Sequence, residues 1–349
     1  MFARFPNNPL IKPADVNPSR SDFEVMCAFN AGATQFRDKT ILLVRVAERP
    51  IPVKGYVSTA FLDAEHPGAL RVMRVKLGDP ELDASDPRVF IYKKKPYLTS
   101  ISHLRLAESR DGRAFTVAPQ PAMVPELAYE EFGIEDPRIT FIDGAYYINY
   151  SAIWTHGITT CLARTTDFVR YEKLGIMFGP HNKDVAVFPE RIRGRYYCFH
   201  RPSSPQFGAP SMWMASGTNL RDWGDHRLVI APRPGAWDAE RVGCGALPIR
   251  TPKGWLEIYH GADHKIRYCS GAVLLDLDEP WRVIARSRTT VFAPEAPYET
   301  QGFMPNVVFC NGLVERPGGR VDLYYGAADE TVCGGTLDVA AVLDFLKSA

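Results

Sequence analysis

Apolar and polar positions alternate in short runs along nearly the whole chain. Runs rich in Val, Ile, Tyr and Phe recur at Thr40–Val46, Ala145–Tyr150, Arg195–His200, Trp255–Tyr259 and Val321–Tyr325, punctuated by Gly, Pro, Asp and Asn. β-Branched and aromatic side chains suit a pleated surface, and the punctuating residues suit tight turns, so these runs predict strands. The pattern changes at the C-terminal end. From Thr336 to Ala349 the apolar positions Leu337, Val339, Ala340, Val342, Leu343, Phe345 and Leu346 form a broad stripe at helical spacing, with Thr336 as the expected cap.

The strand runs repeat one another. A turn and the strand after it occur as RDKTILLVRVA, DGAYYINYSA, RGRYYCFHRP, KGWLEIYHGA and GGRVDLYYGA. A third strand with its exit turn occurs as HLRLAESRDGRAF, TTCLARTTDFVRY, MWMASGTNLRDW and SGAVLLDLDEPW. With Ala107, Ala163, Ala215 and Ala272 taken as equivalent, the steps are 56, 52 and 57 residues. A period of about this length, with three or four strands per unit, predicts the blades of a β-propeller. One blade cannot bury both faces of its sheet, whereas five around an axis can. The expectation is an all-β, five-bladed β-propeller with a short C-terminal helix, forming one domain over residues 1–349. A β-sandwich with chance similarity between hairpins competes, but it leaves the repeated third strands unexplained.

Charge and cysteine usage narrow the partners. Lys and Arg number 41 against 40 Asp and Glu, so the net charge is +1. That balance gives no electrostatic case for nucleic acid or an anionic membrane, and any bound anion must be held by a local basic cluster. No apolar run reaches the ~18 residues that cross a bilayer. The start, MFARFPNNPLIKPADV, lacks the apolar core of a secretory signal, which predicts a cytoplasmic protein. Seven cysteines are scattered without a C-x-x-C pair. They predict neither a metal site nor a disulfide framework, and most read as small buried side chains. No metal and no cofactor are expected, and a homo-oligomer stays open.

Propeller ligands bind where the inner strands converge, so polar residues inside apolar inner-strand segments are the candidates. These segments are Phe29–Asn30–Ala31–Gly32, Gly133 to Arg138, Asn182 to Glu190, Gly243 to Ala246 and Met304 to Phe309. Asp136 stands beside Glu135 and before Pro137–Arg138, and Pro137 disfavours helix at Asp136. A carboxyl group in a sugar-sized cleft serves as a general acid if burial raises its pKa. The same Asp-Pro pair also suits a turn whose Asp caps backbone amides. Lys183, Arg201 and His260 come from three consecutive units and form an anion site if they converge. Taken singly, each reads as a surface charge. Arg45 and Arg105 are further candidates, while His103 and His260 also read as structural histidines. Trp154 is the tryptophan expected near the site.

The ordered motifs F-N-A-G, S-H-L-R-L-A-x-S-x-D-G, E-D-P-R, N-K-D-V-A-V-F-P-E-R-I-x-G-x-Y-Y-x-x-H-R-P, G-W-L-E-I-Y-H-G-A-D and P-N-V-V-F with Y-Y-G-A-A-D span about residues 5 to 345. The set resembles glycoside hydrolase family 130, the β-mannoside phosphorylases and related β-mannosidases. The resemblance implies a five-bladed propeller and inverting phosphorolysis of β-linked mannosides to α-mannose 1-phosphate. It makes Asp136 the acid, with its proton passing through the mannose 3-hydroxyl. It assigns phosphate to Lys183, Arg201 and His260, and makes Asp329 a polar wall of the site. Asn30, Arg45, His103, Arg105 and Arg138 join Asp329 as the candidate substrate-binding residues. A β-mannoside and inorganic phosphate are the implied partners. The F-N-A-G, R-V-A-E and Y-H-G-A-D segments look closer to β-1,2-mannobiose or β-1,2-oligomannan phosphorylases than to β-1,4 types. The loops Ser203–Pro210 and Val291–Phe303 are expected to set the linkage. A hydrolase of the same family, with Glu190 or Glu257 as its second carboxylate, and a non-catalytic carbohydrate-binding propeller are the alternatives.

Overall fold

The computed structural model describes residues 1–349 apart from 64, 65, 67, 205, 348 and 349. The chain is nearly all β, and its main body is five antiparallel sheets met in chain order. The first sheet is ordered Phe23–Phe36, Lys39–Pro50, Ile101–Ser109 and Thr116–Val117. The second comprises Ile134–Ile142, Ala145–Trp154, Gly157–Thr165 and Glu172–Phe178. The third comprises Asn182–Val187, Tyr196–Pro202, Met212–Gly217 and Gly224–Ile230. The fourth has Arg241–Gly243, Gly254–Ala262, Tyr268–Leu275 and Val283–Arg286, with Ile249–Thr251 also paired to Gly254–Ala262.

The fifth sheet is assembled from both ends of the chain. Val308–Arg316, Arg320–Ala327 and Thr331–Asp338 are joined by the N-terminal strand Phe2–Arg4, which pairs Phe2 with Leu337 and Arg4 with Gly335. All five repeated runs are second strands, as their turn chemistry predicts. Ala107, Ala163, Ala215 and Ala272 all lie on third strands and are fully buried. In the fifth sheet Gly335 takes this place, opposite Leu323. A side chain there would collide with the Phe2 ring, so the N-terminal strand explains why the fifth copy lacks the alanine.

Two sequence expectations need correction. Thr336 does not cap the C-terminal helix. It lies in the strand Thr331–Asp338, where its hydroxyl donates to Asp322 Oδ1 at 2.8 Å. The helix is Val339–Lys347, and Asp338 Oδ1 accepts the Ala341 N–H at 3.0 Å as its cap. Residues 348 and 349, the expected end of the helix, lie outside the described residues. The second correction is an excursion the repeat did not reveal. Between the second and third strands of the first sheet the chain forms a hairpin, Tyr56–Leu62 with Leu70–Lys76, and a small sheet of Leu82–Asp83, Val89–Tyr92 and Lys95–Leu98.

The first strands position the site, and four of the five are broken by one extra residue. The pairs Phe29↔Arg45, Glu135↔Ser151, Lys183↔Arg201 and Cys310↔Tyr325 are each followed by a register shift. Gly243↔His260 ends its ladder at the matching place. The residues after these breaks are Asn30, Asp136, Asp184, Cys244 and Asn311. An extra residue re-aims its side chain out of the ladder. Asn30, Asp136 and Asp184 adopt φ of 45°, 51° and 51°, a conformation that Asn and Asp tolerate better than most L-residues.

Candidate active site

A cavity of about 430 Å³ opens beside these breaks. Asn30, Arg45, Asp136, Lys183, Arg201 and Asp329 line it, so six of the ten residues singled out in the sequence are brought together. Asp136 is 5% exposed. Its Oδ1 accepts Asn30 Nδ2 at 2.9 Å and Arg45 Nη1 at 3.0 Å. Arg45 also donates to Glu135 Oε1 at 2.6 Å and to Ser102 Oγ at 3.2 Å, while its guanidinium lies over the Phe29 ring. One fork therefore clamps two adjacent carboxylates. Burial pushes both acids up. At Asp136 the nearby Arg45, Lys183, the Asn30 hydrogen bond and Arg138 outweigh burial and hold it below the usual range. At Glu135 burial prevails over Arg45.

Several cations share the lining with Asp136. Lys183 and Arg201 are register partners on adjacent strands of the third sheet. Arg201 is 5% exposed and its Nη1 lies 2.7 Å from Asp184 Oδ2. His260 corrects the expected set of three cations. Its Nδ1 lies 3.1 Å from the Cys244 carbonyl, which can only accept, so Nδ1 carries the proton. Nε2 then accepts from Arg201 Nη1 at 3.1 Å. Burial, joined by Arg201 and Arg138, outweighs Asp184 and lowers the His260 pKa to about 4. His260 is a neutral residue that orients Arg201, and it stands behind the cavity wall.

Arg138 also stands behind the wall. Its guanidinium donates to the carbonyls of Gly245, Cys244 and Asp136 at 2.9, 3.1 and 3.2 Å, tying the second sheet to the fourth. It holds the bulge of Asp136 in place and does not line the cavity. His103 and Arg105 lie elsewhere. His103 Nε2 is 3.3 Å from Arg105 Nη2, and Arg105 donates to the carbonyls of Asn17 and Pro119. His103 lines a separate cavity with Glu48 and Ser102. Trp154 is in a third cavity with Glu131 and His156. His103 and Arg105 belong to the first sheet and Trp154 to the second, the sheet of Asp136, but none of the three lines the cavity of Asp136.

Glu190 and Glu257 do not line the site. Glu190 pairs with Arg250 at 2.8 Å, with both side chains exposed. Glu257 is fully buried behind the wall, where it accepts the Gly245 N–H, and burial pushes it to about 8. The cavity's other carboxylate is Asp329, raised to about 6 by burial against the pull of Arg45, with Asp136 adding to the rise. Among the described residues, no group of three or more His, Cys, Asp or Glu is placed to hold a metal ion.

Sequence reasoning missed Arg88, Arg241, Ile266 and Tyr268. Arg241 lies two residues before Gly243 on one strand, so period-two alternation would have found it. Its Nη1 is 3.2 Å from the Tyr268 hydroxyl. Arg88 had no signal, since it comes from the excursion outside the repeat, where Asp86 holds its guanidinium by two hydrogen bonds. No described residue of the expected linkage loops lines the cavity. Val291–Phe303 contains the buried Glu299, which Arg4 and Tyr325 hold, and residue 205 of Ser203–Pro210 lies outside the described residues.

The family model described as beta-1,4-mannooligosaccharide phosphorylase matches residues 73–348. The chain belongs to glycoside hydrolase family 130. A beta-1,2-mannobiose phosphorylase of Listeria innocua is 41% identical over 99% of this chain and 98% of that protein. The structure of that enzyme with beta-1,2-mannobiose superposes with a TM-score of 0.96, covering 100% of this chain and 99% of the other. A 1,2-beta-oligomannan phosphorylase of a Thermoanaerobacter species is 39% identical, over 66% of this chain and 77% of its own length.

Proposed function

We propose that this chain is an inverting phosphorylase of β-linked mannosides, with β-1,2-mannobiose or short β-1,2-oligomannan as substrate and inorganic phosphate as co-substrate. Its five sheets are read as the blades of one five-bladed propeller, closed by Phe2–Arg4. The observation that carries the reading is the cavity itself, which Asp136 lines together with Lys183, Arg201 and Arg241. The names of the two β-1,2-mannoside relatives support the linkage.

The chemistry follows from that arrangement. Phosphate is already a nucleophile, whereas water in an inverting hydrolase needs a carboxylate base. The cations hold phosphate on the face of the sugar away from the leaving oxygen and offset charge as the oxocarbenium-like state forms. A phosphate oxygen bonds to C1, the C1–O bond breaks, and the leaving oxygen takes the proton held at Asp136. Within the family reading, that proton travels through the mannose 3-hydroxyl. Asp136 must be protonated to act. Arg45 is the main cation that holds Asp136 low and Lys183 adds to it. Dianionic phosphate beside Lys183 offsets that second contribution, so filling the anion site favours the acid's reactive form. A cytoplasmic setting suits the use of intracellular phosphate, and no helix among the described residues is long and apolar enough to cross a membrane.

The test is incubation of purified protein with β-1,2- and β-1,4-mannobiose, with and without phosphate, assaying mannose 1-phosphate and free mannose separately. Mannose 1-phosphate formed only with phosphate, and faster from the β-1,2 disaccharide, is expected. Two free mannoses regardless of phosphate would mean a hydrolase and would make Asp329 the residue to mutate. Binding without turnover would mean a carbohydrate-binding protein.

A further inference from the structure

Ile266 sits in the turn between the second and third strands of the fourth sheet, and its φ is 59°. Among the described residues it is the β-branched residue with positive φ. For such a side chain this conformation is an outlier, because the branched Cβ crowds the backbone. The turn holds it there. Asp263 Oδ1 accepts the N–H groups of Lys265 and Arg267 at 2.8 and 3.1 Å, and the Asp263 carbonyl accepts the Ile266 N–H at 2.9 Å. Glycine would meet the backbone requirement without strain. The isoleucine side chain is not committed to the core. It is 37% exposed and lines the catalytic cavity.

The rest of the wall gives that position a meaning. Phe309 and Val307 are buried deeper in the same cavity, at 8% and 4% exposure, so Ile266 stands toward the mouth. A disaccharide that places its reacting mannosyl unit at Asp136 leaves its other sugar toward the mouth. Strain at a ligand-binding wall is retained when the surrounding structure fixes it and the aimed side chain is used.

We propose that Ile266 is a specificity-determining residue, an apolar platform for the C–H face of the acceptor sugar. The proposal rests on the phosphorylase reading above. It is tested in the synthetic direction, where mannose 1-phosphate and the acceptor mannose have separate KM values. Ile266→Gly and Ile266→Ala are both expected to raise the KM for mannose on the order of tenfold. The KM for mannose 1-phosphate is expected to stay close to that of the wild type. Ile266→Gly alone is expected to melt at or above the wild-type temperature, because it removes the strain. An unchanged mannose KM in both variants would overturn the proposal. So would an Ile266→Gly protein that melts well below the wild type, since the side chain would then be a packing residue. Wild-type protein that forms no disaccharide from mannose 1-phosphate and mannose would overturn the activity and the subsite together, which separates that failure from failure of the subsite alone.

Discussion

Asp329 meets opposing pulls in the cavity. Burial raises it to about 6, while Arg45, Lys183 and Arg88 favour its charge. Its folded pKa lies above the ordinary 3.8, so the native state binds the proton more tightly than the unfolded chain does. The stability this gives is fully present below pH 3.8 and is lost as pH rises through about 6. Ionised at neutral pH, the carboxylate costs up to about 2–3 kcal/mol. Asp329→Asn should therefore stabilise the protein at pH 7.5, leave it nearly unchanged at pH 4, and reduce turnover. Urea melts at the two pH values check the sign, and a stability difference independent of pH would refute it. Arg201 carries a different prediction. Arg201→Ala should raise the KM for phosphate at least tenfold, as expected for loss of a charge-assisted contact of about 1.5–3 kcal/mol. The KM for sugar should move far less. A phosphate dependence like the wild type's would remove Arg201 from the anion site.

At the scale of the element, the interrupted first strands do the positioning. A regular ladder would turn Asn30, Asp136 and Asp184 into ordinary strand residues, while one inserted residue aims each out of its ladder. The arrangement leaves little room on the neighbouring strand. A methyl group on Gly326 would collide with Asn30 Oδ1, and one on Gly243 would stand 2.6 Å from His260 Cε1. Gly326→Ala should cost about 1–3 kcal/mol by overpacking. It should also lower turnover measured well below the melting temperature, because Asn30 is one of the two donors to Asp136. Normal turnover in a destabilised variant would show that Asn30 does not set the acid's position.

Across the whole molecule, the two chain ends meet in the fifth sheet. Phe2 stacks on Phe292 with centroids 4.1 Å apart, and Arg4 Nε donates to Glu299 Oε1 at 2.8 Å. Glu299 is fully buried, and it also accepts the Tyr325 hydroxyl and two backbone N–H groups. Arg4→Ala would leave a buried carboxylate without its cation, at a cost of about 3 kcal/mol. The expected readout is a lower melting temperature together with earlier proteolysis at the N-terminus. A melting curve that overlays the wild type's would deny the N-terminal strand this role.

The sequence alone determined the repeat, the five second strands and the Asp136 segment. These depend on local alternation, turn residues and fixed spacing, which act within one unit of the chain. It also made Asp136, Lys183 and Arg201 candidates, since matching places in repeated units predict convergence. Only the tertiary structure decided what each group does. His260 read as a cation or a structural histidine; burial keeps it neutral and the Cys244 carbonyl fixes its proton on Nδ1. Arg138 read as a sugar ligand but is spent on three backbone carbonyls. His103 and Arg105 share a strand with no cavity residue, while Arg88 reaches the site from outside the repeat. Charge state, aim and partnership come from groups distant in the chain, and strand periodicity carries no record of them.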